Sequence, residues 1–251
     1  MLIDSTDNVE SFVLGCLLGV MHGAERQDGT SAYASISMPN TFSMPPNYVR
    51  KYVAENRLNR VERDVFAILD DKIRRLALEP APQGYEAVVS ACDAKQLANG
   101  PALQPVVGKV DLVVTSPPYL DVVNYAKQNW IRNWLLEEGA ESQWANDLDD
   151  DLNLTEWTSF SSLVLDQMRQ VLSSDGVIVF VVGDVSRGGK GSISLAREFI
   201  RRVAHDGHFG FVGCLDDHIG DQIKTTRIWG DTKGKATQVD RIIVLRRVSR
   251  K

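Results

Sequence analysis

The feature that most constrains the fold is the stretch 176–182, a glycine followed by six consecutive apolar residues, Val-Ile-Val-Phe-Val-Val. An apolar run of this length, rich in β-branched residues, is typical of a central strand that is buried on both faces. On both sides of it in the sequence, helical patterns alternate with further strand patterns. We therefore expect right-handed crossovers and an α/β fold: a mostly parallel sheet in three layers, with helices on both of its faces.

The other predicted elements follow from the spacing of apolar residues. The strand candidates are short, apolar and rich in β-branched residues; they cover 86–91, 110–115, 176–182, 209–215 and 241–245. The helix candidates repeat apolar residues every three or four positions; they cover 8–23, 47–55, 60–78, 122–136, 157–172 and 193–203. We predict a helical N-terminal extension over 1–80 and one α/β domain over 81–251. Residues 28–46, rich in Ser, Pro and Met, are predicted to form a long irregular loop, of a kind that is often functional.

The composition excludes several classes of protein. The 251 residues are 43% hydrophobic and 24% charged, as in soluble globular domains. The apolar run 11–20 has about half the length that a membrane-spanning helix needs, so no membrane span is predicted. Cys16, Cys92 and Cys214 lie far apart without paired spacing, which favours a reducing cytoplasm over a disulfide framework or a zinc cluster. The four histidines show no metal-ligand spacing, so no metal site is predicted.

The most specific motif follows the strand candidate 110–115. Directly after Thr115 comes Ser116-Pro117-Pro118-Tyr119, at the sheet edge where open α/β folds bind their ligands. The two prolines fix φ and remove two backbone donors, which allows neighbouring carbonyls to act as acceptors. A hydroxyl and a carbonyl can hold an exocyclic amine, and a tyrosine ring can stack on its base. The alternative is a proline turn with an ordinary packed tyrosine.

This tetrapeptide matches the catalytic motif of the S-adenosylmethionine-dependent amino-methyltransferases. Its Ser-Pro-Pro-Tyr form most resembles the DNA N4-cytosine branch of that family. Asp93-Ala94 and Asp111 also occur in the family's order, and the resemblance extends over about 85–247. It implies a Rossmann-like methyltransferase domain that moves a methyl group to an exocyclic amine of a base flipped out of DNA, most often cytosine N4. Adenine N6, RNA and protein glutamine stay open as targets, as does a non-catalytic DNA-binding or scaffold subunit.

The resemblance implies a role for each residue of the motif. Ser116 would bind the target amine, and the Pro117 carbonyl would accept its second proton. Tyr119 would stack on the flipped base. Pro118 completes the catalytic set. Positioning would supply much of the rate, because the sulfonium of the cofactor is already a good leaving group.

Five residues are the predicted contacts of S-adenosylmethionine: Asp93, Ala94, Thr115, Gly183 and Asp184. Asp93 would accept a hydrogen bond from the adenine amino group, and its alternative role is that of a helix N-cap. The family's aromatic-Gly-x-Gly motif is not found at either place where the resemblance predicts it. We therefore expect the cofactor half to come from a second chain, from a missing N-terminal segment, or from a diverged site.

The distribution of charge suggests a surface for DNA. The net charge of −5 argues against a general nucleic-acid binder, yet residues 187–251 contain 14 basic and 7 acidic residues. Within this stretch Arg227, Trp229, Lys233 and Lys235 combine basic and aromatic side chains in one predicted loop. We predict that they contact DNA, with the cations on phosphates and the indole as a wedge or stack. The alternative is a solvated basic loop.

Overall fold

The structure is a computed structural model of the chain. It describes residues 8–23, 31–35, 45–59, 62–78, 87–120, 125–136, 148–186, 192–218 and 236–248. The chain divides into two compact units, here called the helical unit and the sheet unit. The helical unit comprises Met1–Gly84 and Asn124–Leu148, and the sheet unit comprises Tyr85–Val123 and Asp149–Lys251. The predicted domains, 1–80 and 81–251, stay a prediction. The compact units differ from them in two respects: residues 81–84 and Asn124–Leu148 group with the N-terminal residues.

The described residues of the helical unit form five α-helices. They are α1 (Asn8–Val20), α2 (Pro46–Glu55), α3 (Val65–Ala77), α4 (Tyr125–Gln128) and α5 (Trp130–Leu136). α1 contacts α3, and the Arg132 Nε of α5 donates to the Leu18 carbonyl of α1 at 3.0 Å. Among the described residues, no helix is long and apolar enough to cross a membrane. The loop predicted over 28–46 lies outside the described residues except for 31–35 and the prolines at 45 and 46.

The described residues of the sheet unit form five strands and two α-helices. The strands are β1 (Val110–Thr115), β2 (Leu172–Ser186), β3 (Ser192–Ser194), β4 (Phe209–His218) and β5 (Ala236–Arg247), and the helices are α6 (Leu154–Val171) and α7 (Leu195–Asp206). The strand order is β1-β2-β5-β4, with β3 beside β2. The predicted α/β, Rossmann-like fold is thereby confirmed, with helices between β1 and β2 and between β2 and β4.

Strand pairing corrects one detail of the prediction. β1 pairs with β2 in parallel, whereas β5 is antiparallel to both β2 and β4 and β3 is antiparallel to β2. The prediction of mostly parallel pairing is therefore wrong for the described strands. The reason is that the last strand inserts between two strands that point the same way, so that both of its ladders are antiparallel although β1, β2 and β4 share one direction.

The core lies between one face of the sheet and its two helices. Alternate residues of β2 (Ile178, Phe180 and Val182) are completely buried on that face. The Phe180 ring stacks on Phe199 of α7 with centroids 3.9 Å apart, and Trp157 of α6 meets Phe199 edge-on at 6.4 Å. On β1, Leu112 and Val114 belong to the other face and are 55% and 65% exposed. The sheet and the two α-helices on this face thus account for two of the three predicted layers.

The strand predicted over 86–91 is wrong. The described residues 87–93 form no strand, and Val88 and Val89 are 58% and 93% exposed. They lead into two 3₁₀ helices, Ala94–Asn99 and Pro101–Val106. β-branched residues favour a strand only where a neighbouring strand and a packed face receive them, and none of the described strands pairs with this segment.

Candidate active site at the strand ends

The Ser-Pro-Pro-Tyr segment leaves the carboxyl end of β1, as predicted. The Ser116 side chain is exposed, and its Oγ lies 3.1 Å from the Tyr119 hydroxyl oxygen, within hydrogen-bond distance. Leu120 follows with φ +34°, in the left-handed region, at a cost of about 1–3 kcal/mol for such a residue. Its side chain is buried in the core. Burial of Leu120 thus anchors the loop in a conformation that its backbone alone would disfavour.

A second anchor comes from α6. The buried Trp157 donates from Nε1 to the Pro118 carbonyl oxygen at 2.8 Å. A partly buried hydrogen bond of this kind costs free energy to lose when the carbonyl is left without its partner. The Pro118 carbonyl is therefore held by α6. The role predicted for the Pro117 carbonyl stays a prediction.

Gly183, near the end of β2, lies directly beside the tyrosine ring. A β-carbon at this position would lie 3.0 Å from Cε2 of Tyr119 and 3.0 Å from Oδ1 of Asp240. Few β-carbons have contacts as close as these, so the absence of a side chain lets the ring lie against β2. The sequence predicted that Gly183 contacts the cofactor, and that role stays a prediction. The neighbour that the structure shows is Tyr119, which the sequence predicted to be catalytic.

Next to Gly183, one arginine joins two carboxylates. Arg241 of β5 lies 3.3 Å from Asp184 of β2, measured from Nη2 to Oδ2, and its Nη1 pairs with Asp216 of β4. The hydrogen bond from Arg241 holds the pKa of Asp216 below its ordinary value. Cys214 lies on the same strand as Asp216. Burial, and to a lesser extent the charge of the Asp216 carboxylate, raise the pKa of the Cys214 thiol. Ion pairs therefore connect β5 to the carboxyl ends of β2 and β4.

The remaining predicted cofactor contacts lie on other segments. Asp93 accepts a hydrogen bond from the Lys95 backbone nitrogen at 2.8 Å and so caps the 3₁₀ helix that Ala94 begins. Thr115 is the last residue of β1. The Lys95 ammonium pairs with Asp149 at 2.7 Å, and this hydrogen bond raises its pKa. The N-cap alternative for Asp93 is thus confirmed, and a cofactor role for these residues stays a prediction.

The residues predicted to contact DNA are not among the described residues. Arg227, Trp229, Lys233 and Lys235 lie outside the described residues. Within the described parts of the chain, no group of three or more His, Cys, Asp or Glu side chains is arranged to hold a metal ion.

The sequence analysis missed four contributors to the site: Leu120, Trp157, Arg241 and Asp216. Each acts through a contact with a residue of another element or through the backbone at a turn, and no local pattern marks such contacts. Only the Asp-Arg pair at 240–241, at the start of a strand candidate, could have suggested a charged strand end.

The fold and the tetrapeptide at its carboxyl edge define an α/β protein of the amino-methyltransferase class. A model of the N6/N4 methylase family, described as DNA methylase, matches residues 110–243, a little more than half of the chain. The chain therefore belongs to this family of DNA methylases. No curated protein matches it.

Solved structures similar to the chain include three of one protein from Thermus thermophilus, TTHA0409, which is named as a DNA modification methylase. The identities are 20–21% and the TM-scores 0.36–0.37, over 63–64% of this chain. One of the three is a complex with S-adenosyl-L-methionine. The chain spans about half the length of these structures, 53–54%.

Proposed function

We propose that the chain is the catalytic part of a DNA methyltransferase that acts on an exocyclic amine, with cytosine N4 as the target and S-adenosylmethionine as the donor. The observation that carries this proposal is the pair of Ser116 and Tyr119, whose hydroxyls lie 3.1 Å apart at the carboxyl end of β1. Membership of the DNA methylase family supports it. A cytoplasmic location is part of the proposal and is supported by three free cysteines.

In this proposal the tetrapeptide binds and orients the amine. The Ser116 hydroxyl accepts one N–H of the target, and the Pro117 carbonyl accepts the other. Both bonds direct the nitrogen lone pair away from the protein and toward the donor, while Tyr119 stacks on the base. When bound there, S-adenosylmethionine would supply a methyl group on a sulfonium: the N–C bond would form as the S–C bond breaks, S-adenosylhomocysteine would leave, and the amine would release one proton to solvent water. Alignment supplies much of the rate.

The described residues offer one feature that fits the cofactor. The Asp93 side chain is 41% exposed while it caps its helix, which leaves carboxylate surface for the adenine amino group. We propose Asp93, Ala94 and Thr115 as contacts on this side. Gly183 and Asp184 belong to the same proposed set, although Tyr119 and Arg241 are their observed neighbours.

We propose further that the glycine-rich cofactor motif lies on a strand of a second chain or of another segment. Among the described residues β1 pairs only with β2, and the exposed Leu112 and Val114 lie on its uncovered face. Both features support an added strand at this edge. Calorimetric titration with S-adenosylhomocysteine, with and without candidate partner chains, tests this. A second candidate function, a non-catalytic scaffold subunit, is favoured by the lack of the motif and predicts no binding in either titration.

Methyl transfer to DNA tests the function directly. Wild type, Ser116→Ala and Tyr119→Ala should be compared with labelled donor and bulk DNA, and the product nucleosides identified by mass spectrometry. We expect N4-methylcytosine from the wild type and a loss of about 100-fold in each variant, because alignment of the amine is lost. Equal incorporation by all three proteins would contradict the proposal. N6-methyladenine would keep the site and change the target base.

We also propose that Arg227, Lys233 and Lys235 bind phosphates and that Trp229 contacts the bases. The basic surplus of 187–251 supports this. Replacing the three cations by Ala should lower the slope of log affinity against log salt by about one unit per lost contact. Ser116→Ala, the matched control, should keep the slope. An unchanged slope in the triple variant would show that the loop is only solvated.

A further inference from the structure

Arg241 lies inside β5, at the level where β2 and β4 approach their carboxyl ends. In the sheet register it lies beside Val182 of β2 on one side and Asp216 of β4 on the other. Its guanidinium pairs with one carboxylate on each neighbouring strand: Asp184 of β2, at 3.3 Å, and Asp216 of β4. The Arg241 side chain is 26% exposed and that of Asp184 is 14% exposed. The contact with Asp184 is therefore sheltered from water, whereas the Asp216 carboxylate is 44% exposed.

The arginine lies one residue from the position where Tyr119 meets the sheet. Asp240, its neighbour in β5, pairs with Gly183, and a β-carbon on Gly183 would be 3.0 Å from the Tyr119 ring. The register of the β2–β5 ladder shifts between Gly183 and Val185. The regular ladder is thus interrupted directly after Gly183, which lies against the Tyr119 ring. Asp184, the residue at the interruption, pairs with Arg241.

The two carboxylates need the arginine to lie so close together. Without it, Asp184 and Asp216 would both face the space that the guanidinium now fills, with like charges and little solvent around Asp184. Like charges at such a site repel, and removing an ion pair from a sheltered carboxylate costs free energy. The strand ends would then separate or rearrange, and the surface of β2 beneath Tyr119 would move with them.

We infer that Arg241 is a positioning residue for methyl transfer, which holds the carboxyl ends of β2 and β4 to β5 and so keeps Gly183 in place beneath the Tyr119 ring. The inference rests on the proposed function and assigns to the reaction a residue outside the tetrapeptide. A lysine could neutralise one carboxylate here but could not bridge two, because its charge is a single point and the guanidinium is a planar fork.

The test compares Arg241→Gln with Arg169→Gln in the full chain. Arg169 of α6 is about as exposed as Arg241, at 30%, and pairs with Asp166, which is 51% exposed. It is a control for the loss of an arginine ion pair away from the site. For Arg241→Gln we expect kcat to fall by about tenfold or more, with KM for DNA changed by less than about threefold, because the tyrosine is misplaced rather than removed. Arg241→Lys should recover part of kcat. Equal kcat in Arg241→Gln and Arg169→Gln, or a loss confined to KM, would overturn the inference.

A measurement without turnover separates this inference from the proposed function. The protein is labelled with 3-fluorotyrosine, and the Tyr119 resonance among the six tyrosines is assigned from Tyr119→Phe. In Arg241→Gln this fluorine resonance should shift or broaden, and in Arg169→Gln it should not. An unchanged resonance in Arg241→Gln would overturn the role of Arg241. If the wild type transferred no methyl group to DNA, the proposed function would fail, and the resonance would still decide whether Arg241 positions Tyr119.

Discussion

The two ends of the sheet differ in what their charged side chains contact, and two arginines of β5, Arg247 and Arg241, show the difference. At the amino end of β2, Arg247 donates to the Leu172 carbonyl and, at 3.5 Å, to that of Ser173. At the carboxyl end, Arg241 pairs with the side chains of Asp184 and Asp216. The first arginine satisfies backbone acceptors, whereas the second balances charge close to the position where the Tyr119 ring meets β2.

The two glycines of β2 repeat this difference. A β-carbon on Gly176 would lie 2.7 Å from Cδ2 of the fully buried Leu172 and 3.0 Å from the Val110 carbonyl. A β-carbon on Gly183 would instead meet the ring of Tyr119. One end of the sheet is therefore closed by core packing, and the other leaves space for the side chain that we propose to stack on a base. Changes at the first end should reduce stability, and changes at the second should reduce activity.

The largest effect should come from Trp157→Phe, because this substitution should reduce both stability and activity. The phenyl ring cannot donate to the Pro118 carbonyl, so the variant should lose about 2–4 kcal/mol of unfolding free energy, from the unsatisfied acceptor and the smaller ring. Methyl transfer should also fall, because the tetrapeptide loses its anchor. Urea denaturation measures the first effect. Phe160→Leu on the same helix, which removes no hydrogen bond, should cost less, and an equal loss in the two variants would contradict the prediction.

The glycines themselves give the next effect. Gly176→Ala should cost about 1–3 kcal/mol of stability through overpacking and leave methyl transfer intact at low temperature. Gly183→Ala should lower methyl transfer severalfold with little change in stability, because the ring of Tyr119 must move by a few tenths of an ångström. Gly213→Ala on β4 is the control, since no atom lies within 4 Å of its added β-carbon. Loss of activity at Gly176 and of stability at Gly183 would reverse the comparison drawn here.

The smallest effect concerns pH at the charged end. Arg241 lowers the pKa of Asp216 from its ordinary value of 3.8. A carboxyl group with a lower pKa in the folded state stabilises the fold above its unfolded pKa, and this contribution is lost as the pH falls through the folded value. Asp216→Asn should therefore flatten the loss of stability below about pH 4 and leave its pH dependence near neutrality unchanged. Unfolding midpoints across this range measure it. A slope below pH 4 identical to that of the wild type would contradict the prediction.

The sequence predicted the elements whose pattern is local. The run 176–182 lies inside β2, and the helix predicted over 157–172 is α6, Leu154–Val171. The start of α6 was predicted three residues late, although Asn153 and Glu156, which form a capping box, mark it in the sequence. The strand over 86–91 failed although its valines have high strand propensity, since a strand also needs a partner and a packed face.

The sequence by itself determined the α/β alternation and the position of the tetrapeptide after a strand, because apolar periodicity and a four-residue motif are properties of consecutive residues. Only the tertiary structure decided that β5 inserts antiparallel between β2 and β4. It also decided that Trp157 holds the Pro118 carbonyl and that Arg241 faces two carboxylates. These contacts join residues that lie tens of positions apart, and their partners are selected by how the strands and helices pack, which no local pattern encodes.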